Sequence, residues 1–226
     1  MNTWMNMSFQ DAMSPIMHYM NFFHEFIMTM IIFITSMILY MIIMMYSNKF
    51  YSNYIINHQM IEFIWTIFPL LILFILVMPS IKILYMTDEI KMPYFSIKSI
   101  GNQWYWTYEY PQFKKMPFDS YMINTNELNM NEFRLLDVDN RLIMPSKIKT
   151  QLITTSNDVI HSFTVPSLGF KIDSIPGRLN KSTFYIKFSG LFYGQCSEIC
   201  GINHSFMPIV IESINKNMFF KWIIKN

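Results

Sequence analysis

Charge is scarce in this chain. Asp, Glu, Lys and Arg make up 14 % of its 226 residues, while 52 % are hydrophobic; soluble domains use roughly twice that share of charge. The formal net charge of +2 is too small and too dispersed to draw a nucleic acid, whose binding rests on clustered Lys and Arg. No Lys or Arg occurs in residues 1–25. The basic n-region of a cleaved signal peptide is therefore missing, and the apolar segment that follows is expected to be retained. Internal repeats and low-complexity linkers are absent as well, which leaves one large domain, or a membrane anchor plus one domain. Cysteine is the rarest resource, with Cys196 and Cys200 the only two.

Methionine, by contrast, is abundant. There are 22, alongside much Ile, Phe, Tyr, Asn and Lys, a mixture whose codons are A/T-rich and which reads as genomic bias. Most of these methionines serve as flexible apolar filler.

The low charge is concentrated in two runs. Residues 26–46 are 21 in a row without a charge, about 31 Å as a helix and enough to cross a bilayer core. Residues 63–81 add 19 more, flanked by Glu62 and Lys82, whose side chains can snorkel from the ends. Pro69 inside the second run is tolerable in a membrane helix. Runs this long with no polar face argue against two buried helices of a soluble protein. The sequence predicts helices over about 22–47 and 61–85, in an N-terminal segment and hairpin of residues 1–91. The loop 47–60 carries Lys49 and no acid, which places it on the inner side with both termini outside.

From residue 92 to 226 the pattern changes to short β-branched and aromatic runs at 95–100, 103–110, 148–154, 159–165, 183–188 and 208–212. Turn residues separate them, for example Pro111, Asp139-Asn140, Pro145, Pro176-Gly177 and Ser189-Gly190. Such spacing predicts an all-β sandwich or barrel. Apolar residues at 214, 218, 219, 222 and 223 predict a short amphipathic helix after it. The fold class is thus a membrane-anchored α+β chain, a two-helix transmembrane hairpin followed by a β domain.

The two cysteines sit in Cys196-Ser-Glu-Ile-Cys200-Gly-Ile-Asn-His204-Ser-Phe-Met207, which holds two thiols, an imidazole and a thioether within twelve residues. Thiolate and thioether select copper, and imidazole suits it too. One Cys, two His and a weak axial Met make a mononuclear blue-copper site; with His161 added, this set has one thiolate more, enough for a second ion. Cysteines four apart in a loop can converge on one point, with the Glu198 carbonyl facing the same point. Two alternatives stay open. A structural zinc takes Cys and His, but its histidines are usually three to five residues apart, and His161 lies 43 residues before His204. A Cys196–Cys200 disulfide is compatible with an oxidising compartment.

These residues resemble a known family. Tyr193-Gly-Gln-Cys-Ser-Glu-Ile-Cys-Gly-Ile-Asn-His-Ser-Phe-Met-Pro-Ile-Val is similar to the copper loop of mitochondrial cytochrome c oxidase subunit 2. Segments beginning at Asp158, Gly101 (Gly-Asn-Gln-Trp-Tyr-Trp-Thr-Tyr-Glu-Tyr) and Ile61 (Ile-Glu-Phe-Ile-Trp-Thr-Ile-Phe-Pro) resemble its first-histidine stretch, its aromatic stretch and its second membrane helix. Trp4, Gln10-Asp11 and Ser14-Pro15 fit as well, and Asn102 stands where many relatives carry histidine. The likeness covers nearly the whole chain.

The resemblance implies a cupredoxin-like Greek-key barrel on the hairpin, with both termini and the barrel in the intermembrane space of the mitochondrial inner membrane. It implies a binuclear copper centre of two ions held by His161, Cys196, the Glu198 carbonyl, Cys200, His204 and Met207. The Glu198 side chain would reach Mg²⁺ at the border with subunit 1, a hard oxygen ligand for a hard cation. Electrons would enter from cytochrome c at Trp104 and leave to subunit 1, where oxygen is reduced and protons are pumped. Subunit 3 and accessory subunits would be further partners. Glu62 would stand at the entrance of a proton path, although a snorkelling helix-end carboxylate looks the same. Residues 116–140 hold five acids against Arg134, and Asp119, Asp137 and Asp139, together with Asp158 and Glu109, are candidates to steer a basic partner. A quinol-oxidase subunit of the same fold lacks the six copper ligands that are all present here. A copper chaperone would hold its metal on an exposed, labile site, whereas His161 comes from a distant strand.

Overall fold

The computed structural model describes residues 7–50, 54, 57–88, 92–113 and 116–225. Trp4 and the expected domain boundary at residue 91 lie outside these. The described chain forms two compact units.

The helical unit, residues 19–87, is built from two long helices. α1 spans Pro15–Ser47 and α2 spans Gln59–Asp88, about 50 and 45 Å long at 1.5 Å per residue. Their apolar windows bury nothing within the chain; Phe33, Ile42, Leu73 and Phe74 all face outward. Side chains of this kind require lipid or partner helices around them. Pro69 and Pro79 both lie inside α2, and Glu62 sits exposed in its first turn.

α1 begins seven residues before the predicted start. Pro15 occupies its first position, and the Ser14 hydroxyl accepts the Met17 N–H at 3.0 Å, an N-cap followed by proline at N1. The same hydroxyl donates to the Leu168 carbonyl at 2.6 Å. Residues 7–18 pack with the β unit. Met13 bonds through its backbone to Ser167 and Lys187 at 2.9 Å each. Met17, 5 % exposed, lies where a Cβ on Gly169 would stand, within 2.9 Å.

In the β unit, β1 (Phe95–Asn102), β2 (Tyr105–Glu109), β3 (Phe118–Ser120), β5 (Lys149–Ser156) and β8 (Asn180–Tyr185) form one sheet in the order β3-β2-β1-β5-β8. β4 (Leu142–Pro145), β10 (Pro208–Ile214) and β9 (Gly190–Gln195) form a second, in the order β4-β10-β9. A hairpin of β6 (His161–Val165) and β7 (Phe170–Ser174) adds two more strands. β1 runs parallel to β5, and β4 parallel to β10. The core follows the two-residue period of a strand: Trp106 and Tyr108 on β2, and Tyr110 just after it, are buried with Ile97, Leu152, Phe163 and Ile211. A last helix, α3 (Lys216–Lys225), closes the barrel with Phe219, which stacks on Phe95 at 5.3 Å.

Candidate metal centre

The twelve residues 196–207 form a loop between β9 and β10. Gln195 and Pro208 are direct partners in the antiparallel register, so the loop leaves and re-enters the sheet at one point and is closed at its base. Gly194 just before it runs so close to β6 that any side chain there would collide with the Thr164 carbonyl. The Ser197 N–H donates to the Ser162 carbonyl at 3.1 Å, which fixes the loop onto the strand that begins with His161.

Within the loop the donors converge. The Cys196 Sγ lies 3.3 Å from the Glu198 carbonyl oxygen. The Cys200 Sγ lies 3.5 Å from His204 Nδ1 and 3.5 Å from Met207 Sδ. His161, from the far strand, brings Nδ1 to 3.9 Å from Cys196 Sγ. One donor atom each of His161, Cys196 and Cys200 falls within 4.8 Å of the others. Both cysteines are free and buried, so the disulfide alternative is not what the fold holds.

The surroundings fix the ligands. His161 is fully buried, and its Nε2 donates to Asp158 Oδ1 at 2.8 Å, leaving the Nδ1 lone pair facing the sulfurs. Trp106 meets the His161 ring at a steep tilt, 5.9 Å between centroids, and its Nε1–H donates to the Met207 carbonyl at 3.3 Å. Gly101 on β1 must be glycine, because a Cβ would stand 2.7 Å from His161 Cδ2.

Electrostatics follow from the same contacts. Burial raises the Cys196 thiol, but bonds with His161 and with the backbone at Ser162 and Glu198 outweigh this and hold it below the ordinary thiol range. Burial pushes Cys200 up to about 12, with the negative charge of Cys196 adding to the effect. Burial lowers His161, yet its bonds to Cys196 and Asp158 leave it raised. Asp158 is raised by burial and lowered more by His161 and two backbone N–H groups.

This donor set fits copper. Donors about 2.0–2.3 Å from one ion at a tetrahedral angle are about 3.3–3.8 Å apart, close to the 3.3–3.9 Å separations found. The buried Met207 thioether suits copper and gives zinc nothing.

Other expected residues fall in different places. Glu198 turns its carbonyl inward and its side chain outward, exposed. Trp104, half-buried in the β1–β2 turn, lies against the loop: a Cβ on Gly201 would come within 3.1 Å of its ring. Asp119 and Asp139 are exposed. Asp137 is not a surface acid. It is 2 % exposed, accepts the Phe133 N–H at 2.7 Å and faces Arg141 at 3.8 Å. Asp158 is exposed, and its oxygens accept from His161, Gln103 N, Val159 N and the Ser156 hydroxyl. Glu109 is paired with Lys98 at 3.1 Å. Asn102 is buried and bonds to Asn157, Thr107 and the Ile100 carbonyl.

Comparison with known proteins agrees with this geometry. The model of the cytochrome C oxidase subunit II periplasmic domain matches residues 95–214, and that of the family's transmembrane domain matches residues 2–83. The chain is 55 % identical to cytochrome c oxidase subunit 2 of Culex quinquefasciatus over 223 residues, 99 % of this chain and 98 % of that protein. The Aedes aegypti protein of the same name is equally similar, and that of Drosophila subobscura is 52 % identical, covering 99 % of this chain and 97 % of the relative. The crystal structure of the periplasmic domain of subunit II of cytochrome oxidase from Bradyrhizobium japonicum superposes with a TM-score of 0.56 at 42 % identity, covering 61 % of this chain and 96 % of that one. A second solved structure, a mixed-disulfide intermediate between a thioredoxin-like protein and subunit II of cytochrome c oxidase, gives 0.54 at 39 % identity, covering 61 % and 94 %.

Proposed function

The chain belongs to the cytochrome c oxidase subunit II family, and from that premise we propose that its β domain is the electron-accepting part of a terminal oxidase. His161, Cys196, the Glu198 carbonyl, Cys200, His204 and Met207 would hold two copper ions. When bound, that pair supplies one-electron redox chemistry, shared between two metals in a rigid and buried setting. The observation that carries the reading is the convergence of donors from two distant segments: four donor pairs lie 3.3–3.9 Å apart, and His161, Cys196 and Cys200 fall within 4.8 Å of one another.

The protein's own groups then divide the work. Asp158 accepts from His161 Nε2 and keeps Nδ1 toward the metals. Trp106 seals the floor of the site and grips the Met207 carbonyl. Trp104, the indole that lies against the loop at Gly201, is the electron entry. Cytochrome c is the donor; Asp119 and Asp139 draw it in, being exposed acids next to the stacked pair Tyr105 and Tyr121, 4.5 Å apart. The Glu198 side chain reaches toward Mg²⁺ at the subunit 1 border, and Glu62 serves a proton path at the mouth of α2. The apolar runs 26–46 and 63–81 contain no histidine. Haem ligation and oxygen reduction, coupled to proton pumping, therefore belong to subunit 1, with subunit 3 and accessory subunits completing the assembly. The two helices anchor the chain in the mitochondrial inner membrane. Lys49 in the 47–60 loop supports an inner loop, with both termini and the copper domain in the intermembrane space.

Metal analysis and electron paramagnetic resonance of the full chain test the reading. Two coppers per chain with one unpaired electron spread equally over both are expected. Zinc in the analysis, or a single-copper spectrum, would sink it.

A further inference from the structure

The donors of the copper site come from two segments, one carrying His161 and the other Cys196 to Met207, and one residue outside both bonds to each, through its backbone to the first and its side chain to the second. Gln103 lies in the turn between β1 and β2. Its backbone N–H donates to Asp158 Oδ2 at 2.6 Å, and the other oxygen of that carboxylate accepts from His161 Nε2 at 2.8 Å. Its side-chain Nε2–H donates to the Cys200 carbonyl at 2.7 Å. We propose that Gln103 is a positioning residue for the metal centre, clamping the His161 segment to the Cys200 turn through the sequence His161–Asp158–Gln103–Cys200.

Each end of the clamp sits one residue's length from a donor atom. At one end the carboxylate sets the His161 tautomer and ring angle; at the other the amide holds the peptide that carries the Cys200 thiol. The metal donors close the circuit on the inner side, and Gln103 closes it on the outer side. It adds to the Ser197–Ser162 backbone bond, which registers the two segments at the base of the loop.

The local sequence accommodates this role. Gly201 follows Cys200 with φ +129°, and a Cβ there would stand 3.1 Å from Gln103 Nε2 and 3.1 Å from Trp104 Cζ2. Glycine thus supplies both the backbone conformation and the space in which the amide and the indole lie. The chemistry asks for glutamine in particular. A glutamate would bring carboxylate lone pairs against the Cys200 carbonyl, and an asparagine is one methylene short. Gln103 is exposed, so core packing does not explain its side chain. The same turn carries Trp104, so that the clamp also sets where the indole rests.

The inference depends on the copper reading above, and the experiment separates the two. The full-length chain in detergent is loaded with copper, as wild type, Gln103→Met and Gln103→Glu. Wild type that fails to take up two coppers would refute the copper reading itself. With wild type loaded, both variants are expected to bind two coppers yet release them to a chelator about 10- to 100-fold faster, the range for loss of an outer-shell contact. Gln103→Glu should be the faster of the two. Their electron paramagnetic resonance spectra should shift from equal to unequal sharing between the metals. Metal-free melting should stay close to wild type, as for an exposed position. Unchanged release and unchanged spectra in both variants would overturn the clamp. So would a drop in metal-free melting as large as the loss of copper, because that is the mark of a general structural role.

Discussion

Asp158 and His161 are joined by a 2.8 Å hydrogen bond that points the opposite ring nitrogen at Cys196 Sγ, 3.9 Å away. In the proposed copper site the carboxylate would therefore act on a bound metal through the imidazole. Asp158→Ala removes that acceptor altogether, and the ring loses its orienting partner. Copper release to a chelator is expected to rise about 10- to 100-fold, while the salt dependence of electron entry stays as in wild type. A changed salt slope with copper fully retained would return Asp158 to the docking surface.

Asp137 separates from the acids around it for a different reason. Its carboxylate is inside the 129–138 loop, accepting from Phe133 N–H and facing Arg141, which also reaches Glu212 at 3.5 Å. Asp137→Ala leaves the Phe133 N–H without its acceptor, at about 1–3 kcal/mol, or a drop in melting temperature of roughly 2–4 °C per kcal/mol for a domain of this size. Electron entry should keep its rate. Replacing Asp119 and Asp139 together by Asn, whose amide oxygens can still accept from Thr107, Tyr121 and Asn140, should do the reverse: melting close to wild type, and entry from cytochrome c slowed by about tenfold at low salt. Thermal unfolding and stopped-flow reduction over a salt series distinguish the pair. Equal behaviour of all three acids would refute the division.

What the sequence could and could not reveal follows from these residues. The copper loop was legible because both cysteines fall within twelve positions together with a histidine and a methionine, and the hairpin because its runs are long. β1, β2, β5, β6 and β10 alternate clearly or carry continuous apolar stretches. β3, β4 and β7 are three to five residues long, and β9 begins with glycine and contains another; such strands exist through pairing and leave little periodic signal. β8 lies about three residues earlier than expected, because its register against β5 (Thr150 with Phe184) decides its place. The early start of α1 had a readable Ser14-Pro15 cap that the long apolar run overshadowed. Gln103 and Asp137 had no signal at all. An exposed amide and a buried acid look like any polar residue in a chain, and only tertiary contacts give them roles.

Gly101 shows how tightly the histidine is housed. A Cβ there would meet His161 at Cδ2, Cγ and Cβ, at 2.7, 2.9 and 3.0 Å. Both residues are buried, and β1 is held between β2 and β5, so the ring must yield. Gly101→Ala should cost about 1–3 kcal/mol by overpacking, and it should lower copper retention more than it lowers metal-free stability, because the displaced group is a ligand. Chelator release set against metal-free melting measures this. Copper held as in wild type would mean the ring has room that the structure does not show.

Glu198 has two faces, and they can be tested apart. Its carbonyl is 3.3 Å from Cys196 Sγ, whereas its side chain is exposed at the surface of the loop. Substituting the side chain leaves the peptide in place, so Glu198→Gln should keep both coppers and the wild-type resonance spectrum. Mg²⁺ is bound through one or two carboxylates plus water, and losing one of so few should weaken it by about tenfold or more. The assembled oxidase, dialysed against graded Mg²⁺ and assayed for bound metal, gives the measurement. Magnesium retained at wild-type affinity would reduce Glu198 to a spacer that offers the copper site only its backbone. Copper lost together with magnesium would mean that the side chain and the carbonyl are not independent, and that the loop is held from its outer surface as well as from within.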